Sequence, residues 1–150
     1  MSEPTPTSAH PDARRRGGSG VRLVGLLSII AGIVLIAAGA VTWYVVPDQL
    51  KAQNITVSED AEWFGGKQVN GPLDAYSQAQ VIDKHALEAT NGKTYAELEQ
   101  DDPLREVAMN ASFLRASLFT SVVAYGVALF AMGMGLLWIL LGWALRRLAP

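Results

Sequence analysis

The chain has no cysteine. That absence removes lipobox anchoring, a disulfide scaffold, thiolate catalysis and cysteine-ligated metals together, and it carries no information about compartment. Histidine is nearly as scarce, with His10 and His85 the only two. On a helix, His85 would have Glu88 one turn away and Asp74 and Val81 on the same side, too thin a set for a metal site, and an exposed helical histidine is ordinarily solvated. Neither Ser112 nor Ser117 has a histidine at helical spacing, no glycine-rich phosphate loop follows a strand, and there is no internal repeat. The paired Asp101 and Asp102 read as helix-boundary chemistry rather than as a general acid and base. Asn54-Ile55-Thr56 and Asn110-Ala111-Ser112 match the glycosylation sequon only as chance would. The expectation is a non-enzyme with no catalytic residue, no cofactor and no metal.

Charge is missing in two long runs, and there the chain says most about itself. Leu23 to Val46 is 24 residues without a charge and Leu118 to Leu145 is 28, whereas a spanning helix needs about 20. A lipid-exposed backbone must satisfy its own hydrogen bonds, so both runs are expected to be helices crossing a bilayer. With no ionisable group inside either run, an intramembrane proton relay or charged transport site is excluded. A pore would need several copies of the chain.

Basic residues near a span are retained in the cytoplasm. Arg14, Arg15, Arg16 and Arg22 precede the first run and Arg146 and Arg147 follow the second, while only Lys51 and Arg115 flank the runs on the other side. Residues 47–116 hold 12 acids and 6 bases, and the two ends hold 2 acids and 6 bases. Both termini are therefore expected in the cytoplasm, with the chain a two-span protein of the plasma membrane. Ala38-Gly39-Ala40 has the form of a signal-peptidase site, but the apolar run continues to Val46, longer than a signal-sequence core, so the first span is expected to stay.

The expected organisation is a disordered cytoplasmic tail over 1–20, rich in Pro, Ser, Thr and Gly, a first transmembrane helix over 21–46, an extracytoplasmic segment over 47–116, a second transmembrane helix over 117–145 and a cytoplasmic end over 146–150. The arginine cluster of the tail is read as a topology determinant drawn to the inner leaflet, not as a nucleic-acid site. Trp43 and Tyr44 suit an outer aromatic belt, and Pro47 is expected to end the first helix. Between the spans, Asn54 to Val57 is a short extended candidate, followed by turns at Gly65-Gly66 and Asn70-Gly71-Pro72. Apolar spacing predicts a helix over about 73–90, stopped by Asn91-Gly92. Thr94 and Glu97 form a capping box for a helix over 94–100, and Asp102 with Pro103 opens a helix from 103 onward. With no Pro or Gly between Leu104 and Gly126, Leu104 to Leu145 is expected as one continuous helix of about 60 Å. The fold class is an all-α membrane protein: a two-helix transmembrane hairpin, a mostly helical extracytoplasmic segment and a long continuous second helix.

In lipid, helices associate by close packing, so small residues mark contact faces. The first span carries Gly25, Ser28, Gly32 and Gly39, with the glycines seven apart. The second carries Ser121, Ala124, Ala128, Ala131, Gly135 and Gly142, a stripe expected to continue outward as Leu104, Val107, Ala111 and Leu114. These faces can close on each other within one chain. Gly126 and Gly133 mark a second small face, which points to self-association or docking to another membrane protein. Arg115, at the outer end of the second span, suits snorkelling or pairing with Asp48.

The run from Ile55 to Pro103, with Gly92-Lys93-Thr94-Tyr95-Ala96-Glu97-Leu98 inside it, and the block Ala111 to Ala124 resemble a family of small, uncharacterised actinobacterial membrane proteins with two spans. The resemblance covers roughly residues 54–130 and implies a Gram-positive plasma membrane. Members are often labelled aromatic ring-opening dioxygenases. That chemistry needs two histidines and a carboxylate around iron, which His10 and His85, on opposite sides of a membrane, do not supply. The function expected is that of a non-catalytic accessory subunit or envelope-associated factor acting through protein contacts. A homo-oligomeric channel or a small-solute sensor is the alternative.

Overall fold

The computed structural model describes the backbone of residues 12–149 and the side chains of residues 18–149. Three helices carry it: α1 (Asp12–Ala52), α2 (Pro72–Ala89) and α3 (Leu104–Leu148). Among the described residues there is no strand, only an isolated antiparallel bridge between Thr56 and Gln68. α1 and α3 are long and apolar enough to cross a membrane. The chain forms two compact units, Met1–Ala37 with Ala131–Pro150, and Ala38–Phe130.

In the first unit, parts of α1 and α3 meet at glycines. A Cβ placed on Gly25 would lie 2.7 Å from the carbonyl oxygen of Gly142, and one on Gly135 would lie 2.6 Å from that of Gly32. Residue numbers rise along one helix as they fall along the other, so the contact is antiparallel. Ile29, Ile36 and Ile139 close over the glycines from the sides. Buried Ser28 satisfies its hydroxyl inside its own helix by donating to Val24 O at 2.9 Å. Most large side chains on the remaining faces, Leu23, Ile33, Val34 and Leu137 among them, are more than half exposed. Such a surface suits lipid rather than water.

The second unit has a core of the kind water drives together. Leu50, Val57, Val69, Ala75, Ala79, Leu118 and Tyr125 form it. Val57 and Val69 face inward because the segment between α1 and α2 doubles back on itself: Val57 N donates to Lys67 O and Val69 N to Ile55 O, both at 2.9 Å. α2 starts where Gly71 N donates to the buried Asp74 carboxylate at 2.7 Å. It ends where Gly92 N reaches back to Leu87 O at 2.7 Å, with Asn91 and Gly92 both at positive φ. This is a left-handed C-terminal cap, and it explains the Asn-Gly pair.

Several boundaries differ from those the sequence suggested. α1 begins at Asp12 instead of residue 21; residues 1–11 of the expected tail, and the side chains of Arg14, Arg15 and Arg16, lie outside those described. Ala13 and the three arginines are good helix formers. α1 also passes through Pro47 to Ala52. Proline removes one helical hydrogen bond there, and burial of Leu50 in the second unit's core offsets that loss.

The helix expected over 94–100 is instead a series of turns. The capping contacts exist, with Thr94 N and Oγ1 both within 2.8 Å of the Glu97 carboxylate. Buried Leu98, whose carbonyl accepts from Arg105, and the Asp102 cap on α3 leave too few residues to repay helix nucleation. That cap is direct, Leu104 N donating to Asp102 Oδ1 at 2.8 Å.

In the N-terminal part of α3 the buried face is rotated from the expected stripe. Val107 and Leu114 are exposed, while Ala108, Leu118 and Tyr125 are buried. The rotation brings Arg115 against α2, where its guanidinium meets Asp83 at 2.7 Å rather than Asp48. Asp48 pairs within its own helix with Lys51, at 3.9 Å.

Candidate functional site

A cleft of about 540 Å³ opens between the loop at residues 58–66 and α2. The loop holds its shape because of two glycines. Gly66 has φ +74, and a side chain on Gly65 would press against the backbone of Glu59 at 3.0 Å. Phe64, also at positive φ, completes the turn, and Lys67 lies over its ring.

Three polar ties bind this loop to α2. Ser58 N donates to Gln78 Oε1 at 2.9 Å, and Ser77 Oγ donates to the carbonyl of Trp63 at 2.6 Å. The Asp60 carboxylate takes Lys84 Nζ at 3.2 Å and lies 2.8 Å from His85 Nε2. The hydrogen bond to His85 first, and that to Lys84 second, hold the Asp60 carboxyl below its usual range. The ties leave two rings at the cleft. Trp63 is 65% exposed and Tyr76 is 42% exposed. Tyr76 is braced edge-on by Phe119, centroids 5.8 Å apart, and its hydroxyl accepts from Gln80 Nε2 at 2.8 Å. Glu62 and Val81 complete the wall. Acceptors, donors and aromatic faces thus share one opening.

A smaller cavity of about 100 Å³ is bounded by Asp83, Lys93, Thr94, Tyr95, Ser112 and Arg115 among others. Ser112 is turned into its own helix, donating to Ala108 O at 2.7 Å.

The residues singled out by sequence distribute differently. His85 turns to Asp60, not to Glu88, and Asp74 is spent on the start of α2, accepting from Gly71 N and Ala75 N. Among the described residues no group of three His, Asp or Glu converges in a metal-holding arrangement. Gly25, Ser28, Gly32 and Gly39 are buried, as are Ala128, Gly135 and Gly142, while Ser121, Ala124 and Ala131 are half-buried. Gly126 and Gly133 face open space, with nothing within 4 Å of an added Cβ. Of the flanking arginines, Arg146 packs its stem on Gly25 and Arg147 stacks over Trp143 at 4.0 Å. Trp63, Tyr76, Asp60 and Gln80 were not singled out by sequence. The available signal was Glu62-Trp63-Phe64 set directly before Gly65-Gly66, two aromatic residues in a turn where nothing requires them for a core.

Compared with protein-family models, curated proteins and solved structures, the chain matches none. The site is therefore read from its own chemistry.

Proposed function

We propose that the chain is a non-catalytic plasma-membrane protein that spans the bilayer twice as a hairpin, keeps both termini in the cytoplasm and works through contacts made by the segment between the spans, residues 47–116, outside. The observation that carries this reading is the glycine contact between α1 and α3. Backbones that meet at Gly25, Gly32, Gly135 and Gly142 leave no conduit between the two helices, and the charge-free surface around them suits lipid. Transport chemistry then has no place in the spans, and the chemistry the chain does present is concentrated in residues 47–116. An accessory or envelope-associated role follows, in keeping with the resemblance to actinobacterial two-span proteins. Self-association or docking to another membrane protein would use the open face at Gly126 and Gly133.

The natural absence of cysteine makes the topology directly testable. In intact cells, Glu88→Cys should react with a membrane-impermeant maleimide, and Ser8→Cys should react only after permeabilisation. Labelling of Ser8→Cys in intact cells would overturn the orientation. Ion flux through the purified chain in liposomes would replace the accessory role with the oligomeric channel. The small-solute sensor is favoured as a second reading by one observation, the 540 Å³ cleft between the 58–66 loop and α2.

A further inference from the structure

The cleft is amphipathic in a particular way. Its apolar part is supplied by the rings of Trp63 and Tyr76, both exposed, beside the aliphatic Val81. Its polar part offers acceptors from Glu62 and Asp60, a donor from Lys84, and an amide from Gln80 that has both. Charge within it is largely compensated, because Asp60 is already engaged by Lys84 at 3.2 Å and by His85 at 2.8 Å. A cationic ligand would meet Lys84 and an anionic one would meet Glu62 and Asp60. Only the Glu62 carboxylate is left over after that pairing, a single acceptor that a hydroxyl group can satisfy as a cation can.

A neutral ligand that stacks on aromatic faces, and whose polar groups each donate and accept, meets all of these conditions. A pyranose has one face of C–H groups and a rim of hydroxyls. The volume of 540 Å³ is in the range of small-molecule sites and holds a short oligosaccharide better than a single sugar. We infer that the cleft between the 58–66 loop and α2 is a carbohydrate-binding site, with Trp63 and Tyr76 as stacking platforms and Gln80, Glu62 and Lys84 bonding the hydroxyls. Rigidity supports the assignment. Tyr76 is held by Phe119 and Gln80, and the backbone carbonyl of Trp63 is pinned by Ser77, so the Tyr76 ring and the backbone that carries Trp63 need little ordering on binding.

The inference deepens the reading of residues 47–116 as the outward, contact-making part of a membrane protein, and rests on it for biological sense. The test is independent of orientation. Full-length chain is purified in a polyoxyethylene detergent, since a maltoside headgroup is itself a disaccharide. Binding of tri-N-acetylchitotriose, cellotriose and maltotriose is measured by saturation-transfer NMR and titration calorimetry, beside tetramethylammonium and lysine amide. At least one trisaccharide should bind with Kd below about 1 mM. Trp63→Ala should weaken it about tenfold or more, by loss of the stacking face. Because Ser77 bonds the Trp63 carbonyl rather than its ring, that variant keeps the loop anchor. Gln80→Ala should weaken binding several-fold, and Trp138→Phe, on the exposed surface of the first unit, should leave it unchanged. No trisaccharide binding, binding indifferent to Trp63→Ala, or binding only of the cations would each overturn the assignment while leaving the maleimide test of topology standing.

Discussion

The two units of this chain are held together by opposite means. Around Gly32 and Gly135 the helices touch backbone to backbone and leave their large side chains outside. Around Val57 and Val69 large side chains are fully enclosed, and the backbone is tied by turns and caps. The first arrangement encloses few large side chains and rests on close backbone fit, a kind of contact that would also serve in lipid. The second removes apolar area from water, at roughly 25 cal/mol per Å². α1 and α3 each take part in both. A single helix can therefore meet its neighbours backbone to backbone along one stretch and through enclosed side chains along the next, and substitutions of opposite kinds should damage the two.

The largest effect should come from adding volume in the first unit. A leucine at Gly32 would drive its Cβ into Gly135 O and Ile139, with no flexible side chain able to yield on the carbonyl side. We expect Gly32→Leu to cost about 3 kcal/mol, the upper end for overpacking, read as a fall in thermal stability of the full chain in detergent. Gly133→Leu adds the same volume where a Cβ meets nothing within 4 Å. It should leave monomer stability unchanged and alter crosslinking between copies or to a partner, if it alters anything. Equal tolerance of both would mean that the glycine contact does not hold the unit together.

The converse experiment removes volume from the second unit. Leu50 is buried in the core just beyond Pro47. Leu50→Ala should cost about 2–3 kcal/mol and should also fray the last turn of α1, since burial of that side chain offsets the hydrogen bond Pro47 cannot make. Amide exchange of residues 49–52 checks the local part. Normal protection there, together with lowered global stability, would separate the leucine's packing from its hold on the helix end.

How legible each unit was in the sequence follows the same division. The spacing of seven between Gly25 and Gly32, and between Gly135 and Gly142 opposite them, can be read directly because a close helix contact needs a regular repeat of small residues and nothing else. The Asn91-Gly92 stop and the Asp102 cap were equally plain, being local chemistry. What the sequence did not disclose depended on long-range burial. α1 continues past Pro47 because Leu50 finds a core made by residues far along the chain. The buried face in the N-terminal part of α3 differs from the expected stripe because α2 packs there, which sets Arg115 beside Asp83, 32 residues away. The cleft was hidden for the same reason. Trp63 and Tyr76 lie on different elements, and only the ties from Ser58, Asp60 and Trp63 to α2 bring them to one opening.

A smaller effect is expected where the second unit uses charge. Asp83 and Arg115 meet at 2.7 Å, but each is more than one-third exposed, so solvent screens the pair. Asp83→Asn should lower stability by under about 1 kcal/mol, and the loss should shrink as salt is raised. A loss several times larger, insensitive to salt, would show that the pair is held dry and that the N-terminal part of α3 depends on it for its rotation.

The smallest effect, and the one most specific to the candidate site, belongs to Asp60. Its carboxyl is held below the usual range by His85 and then Lys84. A depressed carboxylate stabilises the fold above the unfolded-state value, near 3.8 for this group, and the contribution is lost as pH falls through the lower folded-state value. The share of the tie that rests on the Asp60 carboxylate's charge should therefore persist down to about pH 4 and be lost only below it. Asp60→Asn removes the charge at every pH while nearly keeping the shape. Amide exchange at Ala61 and Gly66, which bond to Ser58 O and Val57 O, reports on the loop without requiring global unfolding. Exchange there should be faster in Asp60→Asn than in the wild type above pH 4, and the two should converge as acid protonates the wild-type carboxyl. A difference that persists undiminished well below pH 3 would mean that Asp60 acts through shape rather than charge, and the loop would then be held by Ser77 and Gln78 alone.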